Sequence, residues 1–146
     1  ELQFDQRKCQ LDVRNHAAVP GVALVMPEGR TVTVAPIGSH VEVRLAGALL
    51  AATDRALRLD ETGLPPRYYV PKADVRMDLL RPTDLRTFCP HKGEASYWSA
   101  AVGGEVHENV MWAYEAPIGA VAEIAGYVCF YPTRTEVTVD GERVMG

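Results

Sequence analysis

At 146 residues the chain has the length of one ordinary domain, with little room for a second. Hydrophobic residues at 47% and charged residues at 23% give a globular composition and exclude a disordered one. Fifteen Lys+Arg against nineteen Asp+Glu leave a net charge of −4, which argues against a nucleic-acid binder with its basic footprint.

The segment from Glu1 to about Ala18 has no sustained periodicity. It reads as an N-terminal arm, extending to residue 28 and docked on a single domain of residues 29–146. From Gly29 the pattern is strand-like: Val32 and Val34 alternate with threonines, and Val41, Val43 and Leu45 alternate with His40, Glu42 and Arg44. Ala46-Gly47 predicts a turn into Ala48–Thr53, and Ala56–Leu59 alternates again before the breakers Glu61 to Pro66. Tyr68–Pro71 is a short extended run. Val75, Leu79 and Leu80 fall at helical spacing with Asp74 near their start, predicting a short helix over 73–80 that Pro82 ends.

After a loop at 83–86, Ser96–Val102 and Glu105–Tyr114 read as strands joined by Gly103-Gly104, a strong hairpin signal. Pro117–Ile124 predicts one or two helical turns, and Gly126–Tyr131 and Thr135–Val139 predict strands. The sum is seven to nine short strands and at most two short helices, a mainly β domain. Alternation places Tyr127, Cys129 and Tyr131 on one face opposite Val128 and Phe130. It also places Val110, Trp112 and Tyr114 opposite Met111, Ala113 and Glu115.

Ten of the eleven aromatic residues lie between Tyr68 and Tyr131, and eight of those ten are Tyr or Trp. Polar-tipped aromatics suit a concave site as well as a core. The expected ligand-binding residues are therefore Tyr69, Cys89, Trp112, Tyr114 and Tyr131. The segment Phe88-Cys89-Pro90-His91-Lys92-Gly93-Glu94 gathers a thiol, an imidazole, an amine and a carboxylate around Pro/Gly breaks. Lys92, one of only three lysines, and Glu115 are the expected bases, with Tyr97 as donor to developing negative charge. The competing structural reading makes Lys92 a solvated loop residue, the tyrosines half-buried packing, and Cys89 and Cys129 inert core thiols.

Three cysteines with no CxxC pair write neither a disulfide framework nor a zinc knuckle, and His16, His40, His91 and His107 are scattered, so no metal and no cofactor is expected. Glycine-rich phosphate loops and GxSxG are absent. No apolar run approaches the ~18–20 residues of a membrane helix and no charged-then-apolar leader opens the chain, so the expectation is a soluble, cytoplasmic domain.

Four blocks in order carry a family resemblance: Glu61-Thr-Gly-Leu-Pro-Pro-Arg-Tyr-Tyr-Val-Pro with Asp74-Val-Arg-Met-Asp-Leu-Leu, then Cys89-Pro-His-Lys-Gly-Glu-Ala-Ser-Tyr-Trp-Ser, Trp112-Ala-Tyr-Glu-Ala-Pro, and Gly126-Tyr-Val-Cys-Phe-Tyr-Pro. They resemble the family called domain of unknown function 427, over about Val41 to Val139. Leu64 and His91 stand where that family's pattern has an aromatic, and Met111 where it has a small residue. The resemblance implies a single β-tent-like domain, the architecture of methionine sulfoxide reductase B and of the thalidomide-binding domain of cereblon. Many such relatives hold a structural zinc on paired CxxC motifs, which this sequence lacks. Family members are sometimes labelled nucleotidyltransferase-like, but no carboxylate pair or Gly-Ser signature supports that chemistry here.

Two functions follow as expectations. In the first, a small organic metabolite binds in an aromatic-lined pocket and undergoes proton-transfer chemistry such as isomerisation, cyclisation or lyase cleavage. In the second, the aromatics form a face through which a non-catalytic module self-associates as a homodimer.

Overall fold

Twelve short strands in two antiparallel sheets make up most of the described chain. The computed structural model describes Leu24–Val25 and residues 31–145. The N-terminal arm lies mostly outside these residues. In chain order the strands are β1 (Leu24–Val25), β2 (Thr31–Pro36), β3 (Val41–Leu45), β4 (Ala48–Thr53), β5 (Leu57–Glu61), β6 (Arg67–Pro71), β7 (Leu80–Cys89), β8 (Gly93–Val102), β9 (Glu105–Tyr114), β10 (Tyr127–Phe130), β11 (Glu136–Val139) and β12 (Glu142–Arg143). The larger sheet runs β1-β2-β5-β6-β10-β9-β8-β7 and the smaller β12-β11-β3-β4. The mainly β expectation holds, with twelve strands where seven to nine are read from the sequence. No helix among the described residues is long and apolar enough to cross a membrane.

Both hairpins that the sequence announces form where left-handed backbone is available. Ala46 and Gly47 have φ of 50° and 83°, and Gly103 and Gly104 have 61° and 81°, the conformation of tight two-residue hairpin turns. The predicted helix over 73–80 does not form. Lys72–Asp74 and Met77–Leu79 are separate 3₁₀ turns, with Val75 and Leu80 extended between and after them. The backbone here serves the edge of β4 instead: Val75 bridges Ala51, and Arg76 N–H donates to the Leu50 carbonyl at 2.8 Å. The Asp74 carboxylate accepts from the Thr53 hydroxyl at 2.7 Å and from Arg55, and these two groups hold it below the usual carboxylate range. The loop placed at 83–86 is likewise part of β7, which continues through Pro82 because it is an outer strand.

The larger sheet has a core on each face. One face packs on the smaller sheet: Val70, Trp98, Ala100, Met111, Ala113, Val128 and Phe130 meet Val41, Val43, Leu50, Ala51 and Val137. The other face gathers Tyr69, Tyr97, Trp112, Tyr114, Cys129 and Tyr131 with Leu59 of β5 and with Val121 and Ile124 of the 3₁₀ segment Gly119–Ile124. The face assignment of β10 is as alternation predicts.

In β9 Val110 departs from its expected side and joins the core beneath the smaller sheet together with Met111. Asn109 has a left-handed φ of 49°, and the β8–β9 register shifts between Trp98 and Ala100, so the period of two is broken there. The kink is pinned by Asn109 N–H donating to Ser99 Oγ at 3.0 Å and by the Thr83 hydroxyl donating to Asn109 Oδ1 at 2.9 Å.

Candidate functional site

Strand β5 sends Leu57, Leu59 and Glu61 to one side, toward the aromatic core. Glu61 is its last residue, opposite Val32 of β2. The chain then reverses: Leu64 N–H donates to the Glu61 carbonyl at 2.9 Å, Gly63 takes a φ of 82°, and Pro65-Pro66 leads into β6. Lys92 closes the turn between β7 and β8. Its N–H donates to the Cys89 carbonyl at 3.1 Å, and its own carbonyl accepts from Ile118 N–H at 3.0 Å.

These two turns bring the Lys92 ammonium 2.8 Å from Glu61 Oε1, with side-chain exposures of 7% and 3%. Lys92 is therefore not the solvated loop lysine of the structural reading. Leu59, Glu61, Leu64, Pro65, Arg67, Tyr69, Lys92 and Trp112 line a small cleft with a cavity volume of about 20 Å³. Its aromatic wall is fixed. The Trp112 indole N–H donates to the Tyr69 hydroxyl at 3.1 Å, the two rings meet edge to face at 6.4 Å, and Tyr131 lies against Trp112 at 4.3 Å.

Of the residues predicted for the site, the structure brings Lys92, Tyr69 and Trp112 to the cleft. Tyr97, Tyr114 and Tyr131 are buried in the core behind it. Tyr97 shares a 2.7 Å hydrogen bond with Thr87, and burial pushes all four phenols above their ordinary value. Glu115 is exposed, 3.6 Å from Lys72 and 3.3 Å from the Ser96 hydroxyl, and does not line the cleft with Lys92. The carboxylate beside Lys92 is Glu61, which sequence reasoning left among turn-forming breakers. Its signal was the inward phase of Leu57-Leu59-Glu61.

Cys89 is buried and disulfide-bonded, so it offers no free thiol, and the sequence reading without a disulfide is corrected at this residue. Cys129 is a buried free cysteine whose thiol is pushed up to about 12 by burial, as an inert core thiol would be. Among the described residues no three His, Cys, Asp or Glu side chains are grouped to hold a metal ion.

Gly93 sets the exit of the Lys92 turn. Its φ is 113°, and a Cβ there would stand 3.2 Å from the Ala116 carbonyl oxygen. Gly93→Ala is expected to cost about 1–3 kcal/mol in urea unfolding, from backbone strain together with this close approach. A loss under about 0.5 kcal/mol would show that the turn relaxes freely.

A family model described as domain of unknown function (DUF427) matches residues 33–141, about three quarters of the chain. No curated protein matches it.

Proposed function

The chain belongs to the DUF427 family, and we propose that it binds a small organic metabolite in the cleft above the Lys92–Glu61 pair. Tyr69 and Trp112 supply an aromatic wall, Leu59, Leu64 and Pro65 the apolar contacts, and Lys92, Glu61 and Arg67 the polar groups that orient the ligand. The chemistry this arrangement fits is proton transfer. An ammonium that gives a proton at Nζ and a carboxylate that takes one at Oε1 lie side by side in a water-poor site, as an isomerisation, cyclisation or lyase step needs.

The observation that carries the reading is the ion pair itself. Burying two charges adds little or nothing to stability compared with apolar residues of the same size. Two charged groups at the inner end of a cleft are instead where functional groups concentrate. The self-association alternative has less support. Most of the aromatics that would form its face are buried inside this chain, and Phe88 is the one described aromatic that is largely exposed.

A thermal-shift screen against a metabolite library tests the proposal, with Leu64→Trp as the blocked control. Leu64 is half-buried on the turn at the mouth, so a larger side chain there fills the cleft without opening the core. A ligand at 100 times its Kd adds about 2.7 kcal/mol, a Tm rise of several degrees for a domain of this size. The expected result is a shift in the parent that Leu64→Trp loses. A library with no hit, or a shift that survives in Leu64→Trp, overturns the cleft as the site.

A further inference from the structure

Where the β11–β12 hairpin faces the start of β6, a groove of about 550 Å³ runs between the two sheets, within the usual size of a small-molecule site. Pro66 and Tyr68 form one wall, and Val139, Val144 and the exposed Met145 the other. Pro66, Tyr68 and Val144 also line an apolar crevice of about 10 Å³ that reaches Val41, Phe130 and Val137. The hairpin wall is held in place. Asp140 and Gly141, with φ of 49° and 85°, make its two-residue turn. Asp140 N–H donates to the His40 carbonyl at 2.7 Å, its Oδ1 accepts from His40 N–H at 2.9 Å, and Val144 N–H donates to the Val137 carbonyl at 2.8 Å.

We propose that this groove binds a small organic ammonium ion with an apolar body, at a site separate from the cleft beside Lys92. The phase of the hairpin carries the inference. Val139 stands opposite Glu142, so Glu142 shares the inward face of Val139 and Val144, both of which pack against the core. Glu142 is nevertheless exposed, because the sheets part at this point and its carboxylate lines the groove together with that of Asp140. The nearby guanidiniums are engaged elsewhere. Arg143 pairs with Glu136 at 3.4 Å, and Arg58, opposite Tyr68 on β5, pairs with Asp60 at 3.0 Å. The groove therefore offers two carboxylates to a cation, the Tyr68 ring to the same charge, and an apolar crevice to the body of the ligand. An anion would meet like charge there, and a neutral ligand would leave both carboxylates unpaired.

A proton–nitrogen NMR titration with phenethylammonium tests this, beside phenylacetate, which carries the same ring with the opposite charge. The expected result is saturable shifts of the Tyr68 and Val139–Met145 amides with the cation, and binding of phenylacetate at least about tenfold weaker. Asp140→Asn/Glu142→Gln is expected to weaken the cation at least about fivefold. Glu123→Gln removes a charge from the 3₁₀ segment on the other face of the larger sheet and is expected to bind as the parent does. Leu64→Trp, which fills the Lys92 cleft, is expected to leave the titration unchanged. Each spectrum also reports whether its variant is folded, and Glu142→Gln alone, with a loss of at least about threefold, replaces a double variant that is not. Absence of saturable shifts at these residues, equal binding of phenylacetate, parent-like binding by the folded carboxamide variant, an equal loss in Glu123→Gln, or loss of binding in Leu64→Trp overturns the proposal.

Discussion

Lys92→Met is expected to destabilise the domain by about 3–5 kcal/mol, while Lys92→Met/Glu61→Leu recovers to within about 1 kcal/mol of the parent. The single substitution removes the ammonium 2.8 Å from a carboxylate that stays 5% exposed. The double substitution removes both charges and leaves apolar groups of similar volume. Urea unfolding at pH 7 with a double-mutant cycle reads the difference as a coupling energy. A single-variant loss under about 1 kcal/mol would place the pair in effective contact with water, with the worth of a surface salt bridge. Because Lys92 is buried beside Glu61, Lys92→Met cannot probe ligand binding apart from folding, and Leu64→Trp serves that purpose.

Trp112→Ala is the second large effect, about 3–5 kcal/mol. A residue whose indole only lined an open pocket would lose less. Here the ring is 1% exposed, tied to Tyr69 by a hydrogen bond and packed on Tyr131, so truncation opens a cavity in the core and strips the Tyr69 hydroxyl of its indole donor. The Trp112→Phe and Tyr69→Phe pair separates the two contributions. Each alone breaks the hydrogen bond, and a coupling of about 0.5–1.5 kcal/mol between them measures it. A loss below about 2 kcal/mol for Trp112→Ala would mean that the aromatic core collapses around the gap or that the ring was solvated.

These results bear on how the aromatic concentration reads. A count of Tyr and Trp cannot separate a pocket from a core, and the chain uses them for both. Tyr69 and Trp112 form a wall of the cleft, while Tyr97, Tyr114 and Tyr131 lie in the core behind it. Two of the buried polar tips are satisfied locally, the Trp112 indole by Tyr69 and the Tyr97 phenol by Thr87.

Strands with one buried face were legible wherever alternation was clean, as in Thr31–Val34 and Val41–Leu45, and the turns were legible where glycine permits left-handed backbone. The helix over 73–80 misled because its apolar spacing is local, whereas the β4 edge that claims its backbone lies some twenty-five residues upstream. Val110 was assigned to the wrong face because a period of two assumes an unbroken ladder, and at Asn109 three residues of β9 stand against the single residue Ser99 of β8. Glu61 was missed because a carboxylate beside Gly-Leu-Pro-Pro looks like turn chemistry. Only the fold shows that a lysine thirty-one residues away arrives at the same point.

The pairing of β11 with β3 has a consequence for the order of folding. Val137 lies opposite Val43 and Val139 opposite Val41, so the middle of the smaller sheet joins segments almost a hundred residues apart in the chain. Contacts of such long range carry a high loop-closure cost and slow the search for the native arrangement. On the ribosome the β3–β4 hairpin emerges early, but its open edge waits until residue 139 has been made. During that interval Val41 and Val43 lack the strand that completes their sheet, and release of the finished segment is the event that lets the two-layered core close.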